Sequence, residues 1–139
     1  MKNILFVDDD TLLRFVLSRS IGLRFRDCNV LAASSGKEAV DILSSQPVHF
    51  VLTDVRMDDM DGFQLVEYMN AHHPEIPVAV MSADGGLKTK ERLQALGVTK
   101  FFEKPFDLKD IQAAISDVQQ TGQKGPSYFS LNMPSVEGR

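Results

Sequence analysis

Apolar residues come in two alternating kinds of run. Five short stretches are mainly apolar or β-branched: Ile4 to Val7, Asn29 to Ala33, Val48 to Thr53, Val78 to Met81 and Val98 to Phe102. Runs of that length without strict alternation predict strands covered on both faces, as in a parallel sheet. Between them the apolar positions recur at helical spacing. Thr11 to Phe25 carries Leu12, Leu13, Phe15, Val16, Ile21 and Leu23, with Arg14, Arg19, Arg24 and Arg26 interspersed, and predicts a first helix capped by the preceding acid or by Thr11. Ser34 or Ser35 caps a second helix through Ala39, Val40, Ile42 and Leu43, closed by Pro47. Phe63, Leu65, Val66 and Met69 form a third stripe that ends near His72, His73 and Pro74. A permissive loop, Ala83 to Gly86, leads to a fourth helix with Leu87, Leu93 and Leu96, which Gly97 ends. Asp107 caps a fifth, with Leu108, Ile111, Ala114, Ile115 and Val118.

Five strands alternating with five helices predict an α/β fold with right-handed crossovers: a five-stranded parallel sheet with helices on both faces. The economical strand order is the flavodoxin-like 2-1-3-4-5, whose reversal lies between strands 1 and 3. Ligands and chemistry gather outside the carboxyl ends of such strands. Four strand ends therefore bring Asp8 and Asp9, Asp54, Ser82 and Lys104 to one rim, although these residues are far apart along the chain.

A chain of 139 residues, 43% hydrophobic and 24% charged, suits one globular domain, here residues 1–120. From 121 to 139 glycine, proline and serine are frequent and no period is evident, which reads as a linker or C-terminal tail, although Tyr128, Phe129, Leu131 and Met133 are apolar enough to dock elsewhere. A net charge of -4 argues against direct nucleic-acid binding, which needs a basic face. The lone Cys28 excludes an internal disulfide framework and reads as a small buried hydrophobe. No apolar run approaches a membrane span, and the N-terminal run is too short for a signal peptide, so the expected location is cytoplasmic.

The chemistry of the rim follows from residue types. Carboxylates a few Å apart repel by about 4 kcal/mol per close pair at an effective dielectric near 20, so Asp8, Asp9 and Asp54 call for a cation. All-oxygen ligands open to solvent favour magnesium, with the backbone carbonyl of Arg56 completing the protein's share. Lys104 offers a compact positive charge for a phosphate oxygen, and Ser82 a hydroxyl donor. Asp54, at the centre, can then attack phosphorus and form an acyl phosphate. Taken alone, the acids at 8 to 10 would more often mark a helix start, and Lys104 a solvated lysine. Their register with Asp54 and Ser82 reverses that weighting. His72 and His73 are adjacent, share no helical face and read as a helix end, while His49 has no partner in sequence. Gly36 and Lys37 fail as a phosphate loop.

These residues, in this order, resemble the receiver domain of bacterial two-component response regulators. The match rests on Asp8 and Asp9 after Phe6 and Val7, Asp54 within LTDVRM, Asp61 with Gly62, Ser82 with Ala83, and Lys104 with Pro105 and Phe106, and it covers Met1 to about Gln120. The resemblance implies a sensor histidine kinase or histidine phosphotransfer protein as donor to Asp54. It implies magnesium held through Asp9 and Asp54 with Asp8 assisting, and a cis bond between Lys104 and Pro105. On phosphorylation Ser82 is expected to swing toward the phosphoryl oxygens, a hydrogen bond contributing about 1.5 to 3 kcal/mol, or roughly 10- to 150-fold in a two-state equilibrium. Phe101 is expected to fill the vacated space and so report the state by packing alone. The surface expected to change is the fourth helix, fifth strand and fifth helix, read by a downstream protein, by an output domain or by a second copy in a phosphorylation-dependent homodimer. The chain is then a signalling module and no enzyme beyond self-catalysed phosphotransfer and autodephosphorylation. Two other readings compete: a phosphohydrolase with an aspartyl-phosphate intermediate, which would want an acid where Arg56 stands, and a phosphate-independent adaptor, which the complete residue set disfavours.

Three positions depart from the family pattern or bear on phosphate lifetime. Arg56 and Asp84, each two residues beyond a site residue, are expected to pair over the site and slow hydrolysis. Asp58 stands where the family usually has proline, adding an acid beside the metal. Asp58→Pro therefore shifts magnesium affinity without abolishing it, which a magnesium titration of both proteins measures.

Overall fold

The structure is a computed structural model describing residues 2–57 and 59–121, with side chains to residue 119. The expected position of Asp58, and that of the tail beyond 121, lie outside the described residues. Ten elements alternate along the chain: β1 (Lys2–Val7), α1 (Thr11–Arg24), β2 (Cys28–Ala33), α2 (Gly36–Ser45), β3 (Phe50–Asp54), α3 (Gly62–His72), β4 (Val78–Ser82), α4 (Leu87–Ala95), β5 (Lys100–Glu103) and α5 (Leu108–Thr121). All sheet pairings are parallel, in the order β2-β1-β3-β4-β5, as expected from the alternation of periods.

Side chains alternate across a strand, so one residue of register decides which layer each meets. Leu5, Val7, Val51, Val80 and Phe101 join one core with α2, α3 and α4. Ile4, Phe6, Phe50, Leu52, Ala79, Met81 and Phe102 join the other, beneath α1 and α5. Both faces are covered, which is why these strands read as unbroken apolar runs.

Caps define where the helices begin. Asp10 accepts from Leu13 N at 3.1 Å at the start of α1, and Ser35 from Glu38 N at 3.1 Å at the start of α2. Asp61 and Gln64 form a reciprocal capping box at α3. Asp107 accepts from Lys109 N at 3.0 Å at the start of α5. Gly97, at φ +86°, terminates α4 in the left-handed conformation that glycine adopts without steric cost. His72 and His73 do end α3, and Cys28 is buried. His49 gains a structural role invisible in sequence: its Nδ1 accepts from Asn3 N at 2.9 Å, joining β1 to the approach of β3.

The face of α1 departs from expectation. Leu17, Ile21 and, just past the helix, Phe25 are buried, whereas Leu12, Phe15, Val16 and Leu23 are exposed, Leu12 by 70%. α1 is apolar on two faces, so periodicity alone does not select the inner one, on which Leu17 lies. Leu87, at the start of α4, is likewise exposed. Leu17→Ala should lower unfolding free energy by about 2–5 kcal/mol, whereas Phe15→Ala should change it by no more than about 0.5 kcal/mol, as read from paired urea denaturation curves.

Candidate functional site

The carboxyl ends of β1, β3, β4 and β5 lie side by side because the strands pair in register: Val7 stands opposite Thr53, Asp54 opposite Met81, and Ser82 opposite Glu103. Asp8 follows β1 directly and is fully buried. A buried carboxylate must be paired, and each oxygen of Asp8 is: Oδ1 accepts from Asp10 N at 2.9 Å and Oδ2 from Lys104 Nζ at 3.0 Å. Arg14, from the first turns of α1, donates to the Asp8 carbonyl at 2.6 Å, a support that sequence reading did not identify.

Asp54 is 7% exposed at the end of β3. Its Oδ1 accepts from Val55 N at 2.9 Å, and its Oδ2 lies 3.3 Å from Lys104 Nζ. Lys104 thus bridges the two acids. Burial, and then the charge of Asp8, push the Asp54 carboxyl above its usual range against the pull of Lys104. Burial opposes the Lys104 charge, but its hydrogen bond to Asp8 and the two carboxylates prevail and raise its pKa. The bond between Lys104 and Pro105 is cis, as the resemblance implied, and Lys104 N donates to Ser82 O at 2.8 Å.

Gly62 holds the back of the site. A Cβ there would stand 2.5 Å from Asp54 O and 2.8 Å from Val55 Cα, so the start of α3 can press against the end of β3 only without a side chain. Gly62 N donates to Val55 O at 2.8 Å across that contact. The sequence shows Gly62 as part of a motif, and the fold supplies this steric reason for it.

Asp9 is exposed, yet Asp8, Asp9 and Asp54 each offer a carboxylate oxygen within 4.8 Å of the others. That donor set fits a hard, oxygen-seeking dication. Ser82 is buried, its Oγ accepting from Asp84 N at 2.9 Å. A cleft of about 420 Å³ adjoins it, lined by Asp9, Arg56, Phe63, Ser82, Asp84 and Thr89 among others. Phe101 is fully buried, with Lys90 Nζ 6.0 Å from its ring centroid. A separate cavity of about 340 Å³ at the amino rim, among Ile4, Cys28, Val48, Ile76 and Ile115, includes none of the five rim residues.

The expected pairing of Arg56 with Asp84 is not formed. Asp84 Oδ1 accepts instead from Gly86 N at 3.0 Å and Oδ2 from Thr89 Oγ1 at 2.9 Å. These two bonds, in that order, and to a smaller degree the charge of Arg56, hold its carboxyl below the usual range. Local bonds to its own loop won over a charge on another loop. Thr89, which no sequence signal singled out, is one of the two partners that hold Asp84 there.

The sequence profile of the response regulator receiver domain matches residues 4–116. The chain belongs to the response regulator receiver domain family. This receiver is 31% identical over 135 residues to the DNA-binding transcriptional regulator NtrC of Klebsiella pneumoniae, an alignment covering 94% of the chain and 28% of NtrC. It is 34% identical over 112 residues to the response regulator protein PilR of Pseudomonas aeruginosa, covering 81% of the chain and 25% of PilR. The receiver therefore spans about a quarter of the length of the curated relatives it matches. Among solved structures it resembles the non-phosphorylated HemR receiver domain of Leptospira biflexa, with a TM-score of 0.76 and 28% identity over 85% of this chain and 94% of that one. As a receiver it is a phosphoacceptor signalling domain, and phosphorylation-dependent switching, magnesium binding at an acidic pocket and an aspartyl phosphate are general to its family. No helix among the described residues is long and apolar enough to cross a membrane.

The raised Asp54 pKa has a definite sign for stability. The folded chain holds that proton more tightly than the unfolded chain, so ionising Asp54 costs stability; the cost is absent below the unfolded carboxylate range and complete once pH exceeds the folded pKa. Asp54→Asn, which cannot ionise, should raise the Tm by a few degrees at pH 7 in chelator, and the gain should shrink as pH falls toward 4, as measured by thermal melts.

Proposed function

We propose that this receiver accepts a phosphoryl group on Asp54 from a sensor histidine kinase or a histidine phosphotransfer protein, in a magnesium-dependent reaction. The observation that carries this reading is the bridge formed by Lys104, whose ammonium lies 3.0 Å from Asp8 and 3.3 Å from Asp54. A carboxylate oxygen of Asp54 attacks phosphorus, the bond from phosphorus to the donor's nitrogen or oxygen breaks, and the donor leaves with that electron pair. Lys104, already beside the acceptor, balances the charge that the incoming phosphoryl adds, and Ser82 donates its hydroxyl proton to a phosphoryl oxygen. Asp8, Asp9 and Asp54, with the Arg56 carbonyl, would hold the magnesium, which when bound neutralises the acids and draws the phosphoryl oxygens to them.

The new charge on Asp54 then competes for Ser82, and the buried Phe101 beside Lys90 reports the change by repacking. The surface altered is α4, β5 and α5, which a downstream protein, an output domain or a second phosphorylated copy would read. The acyl phosphate is then lost by autodephosphorylation, in which water attacks phosphorus and the Asp54 carboxylate leaves.

The test uses a small donor and needs no partner. Incubated with acetyl phosphate and magnesium, the protein should gain the mass of one phosphoryl group, and Asp54→Ala or chelator should abolish the gain in intact-mass spectra. A mass gain that survives Asp54→Ala would overturn the assignment, and so would the absence of any gain in the parent protein.

A further inference from the structure

Asp84 lines the cleft that adjoins Ser82, and both its carboxylate oxygens are taken up on the α4 side: Oδ1 by Gly86 N at 3.0 Å and Oδ2 by Thr89 Oγ1 at 2.9 Å. Its backbone N–H donates to Ser82 Oγ at 2.9 Å. A continuous set of bonds therefore runs from the first turn of α4, through one acidic residue, to the buried hydroxyl at the end of β4, the strand paired with β3. Arg56 lines the same cleft on the loop after β3, is exposed, and forms no ion pair among the described residues. Its charge is nevertheless felt at Asp84. A guanidinium and a carboxylate facing one cleft, the first uncommitted, would pair in a forked geometry if the second were released.

We propose that the Thr89 hydroxyl is a positioning group for the phosphoryl site: by holding Asp84 against α4 it keeps that carboxylate from closing onto Arg56 and leaves the cleft open to water and donor. This rests on the reading of Asp54 as phosphoacceptor. The competing account is that Asp84 and Thr89 only cap α4, whose Gly86 offers no side-chain cap. Capping alone predicts a change in stability and no change at the phosphate.

Thr89→Val keeps the shape and removes the hydroxyl, whereas Thr89→Ser keeps the hydroxyl. After loading with acetyl phosphate and magnesium and removal of the donor, decay of the phosphorylated mass is followed for each. Thr89→Val should lengthen the lifetime by about 3- to 10-fold, within what one hydrogen bond to a charged group can shift. Thr89→Ser should decay within about 2-fold of the parent, and Arg56→Ala/Thr89→Val should decay like Arg56→Ala, because the closing partner is gone. A lower Tm for Thr89→Val with an unchanged lifetime would overturn the proposal in favour of simple capping, and a long lifetime that persists in the double variant would also overturn it. Failure of the parent protein to take up phosphate is a different result, and it removes the phosphoacceptor reading itself.

Discussion

Three acids and one ammonium meet at the carboxyl rim, and the need to balance their charge organises what surrounds them. Asp8 has no access to water, so its charge is tolerable only while Lys104 and the Asp10 N–H hold it. Lys104 reaches it from the far edge strand, ninety-six residues along the chain. That reach sets the end of β5, and the bond from Lys104 N to Ser82 O fixes β4 to the same height. Asp54 then receives what remains of the Lys104 charge, and its carboxyl titrates above the ordinary range because this share does not offset burial beside a second acid. The site is therefore electrostatically unfinished. It favours whatever brings positive charge to the acids.

Backbone packing makes so crowded a rim attainable. Parallel register brings four strand ends level, and alternation sends the residues before them into two separate cores. Gly62 lets the start of α3 lie directly on the Asp54 carbonyl, so Asp54 is backed by main chain. On the opposite side Asp84 ties the β4 to α4 loop to the helix that follows, so a displacement of Ser82 has a bonded route to α4. Under the proposed function, a firmly backed Asp54 and a hydroxyl with a connected neighbour are what a phosphate-operated switch needs.

The fold and most of the candidate site were legible in the chain because strand ends are marked by abrupt changes of residue type. Ile4 to Val7 stops at Asp8, and Val78 to Met81 stops at Ser82. Where two faces of a helix are both apolar the signal fails: Leu17 is buried, whereas Leu12 and Phe15, equally apolar, face outward. Charge complementarity failed at Arg56 and Asp84 for another reason. Gly86 N and Thr89 Oγ1 are already within bonding distance of the acid, and a short local bond needs less ordering than a pair across a cleft.

Residue order alone determined the alternation of strand and helix, the parallel sheet that this alternation requires, and the identity of the acids, hydroxyl and lysine at the strand ends, because period and residue type are local properties. Only the folded chain decided which face of α1 is buried, that Lys104 bridges Asp8 and Asp54, that Gly62 must lack a side chain, and that Gly86 and Thr89 hold Asp84 in place of Arg56. Each of these depends on distances between segments far apart in sequence, or on competition between partners that sequence presents as equal, and such distances exist only once the layers have packed.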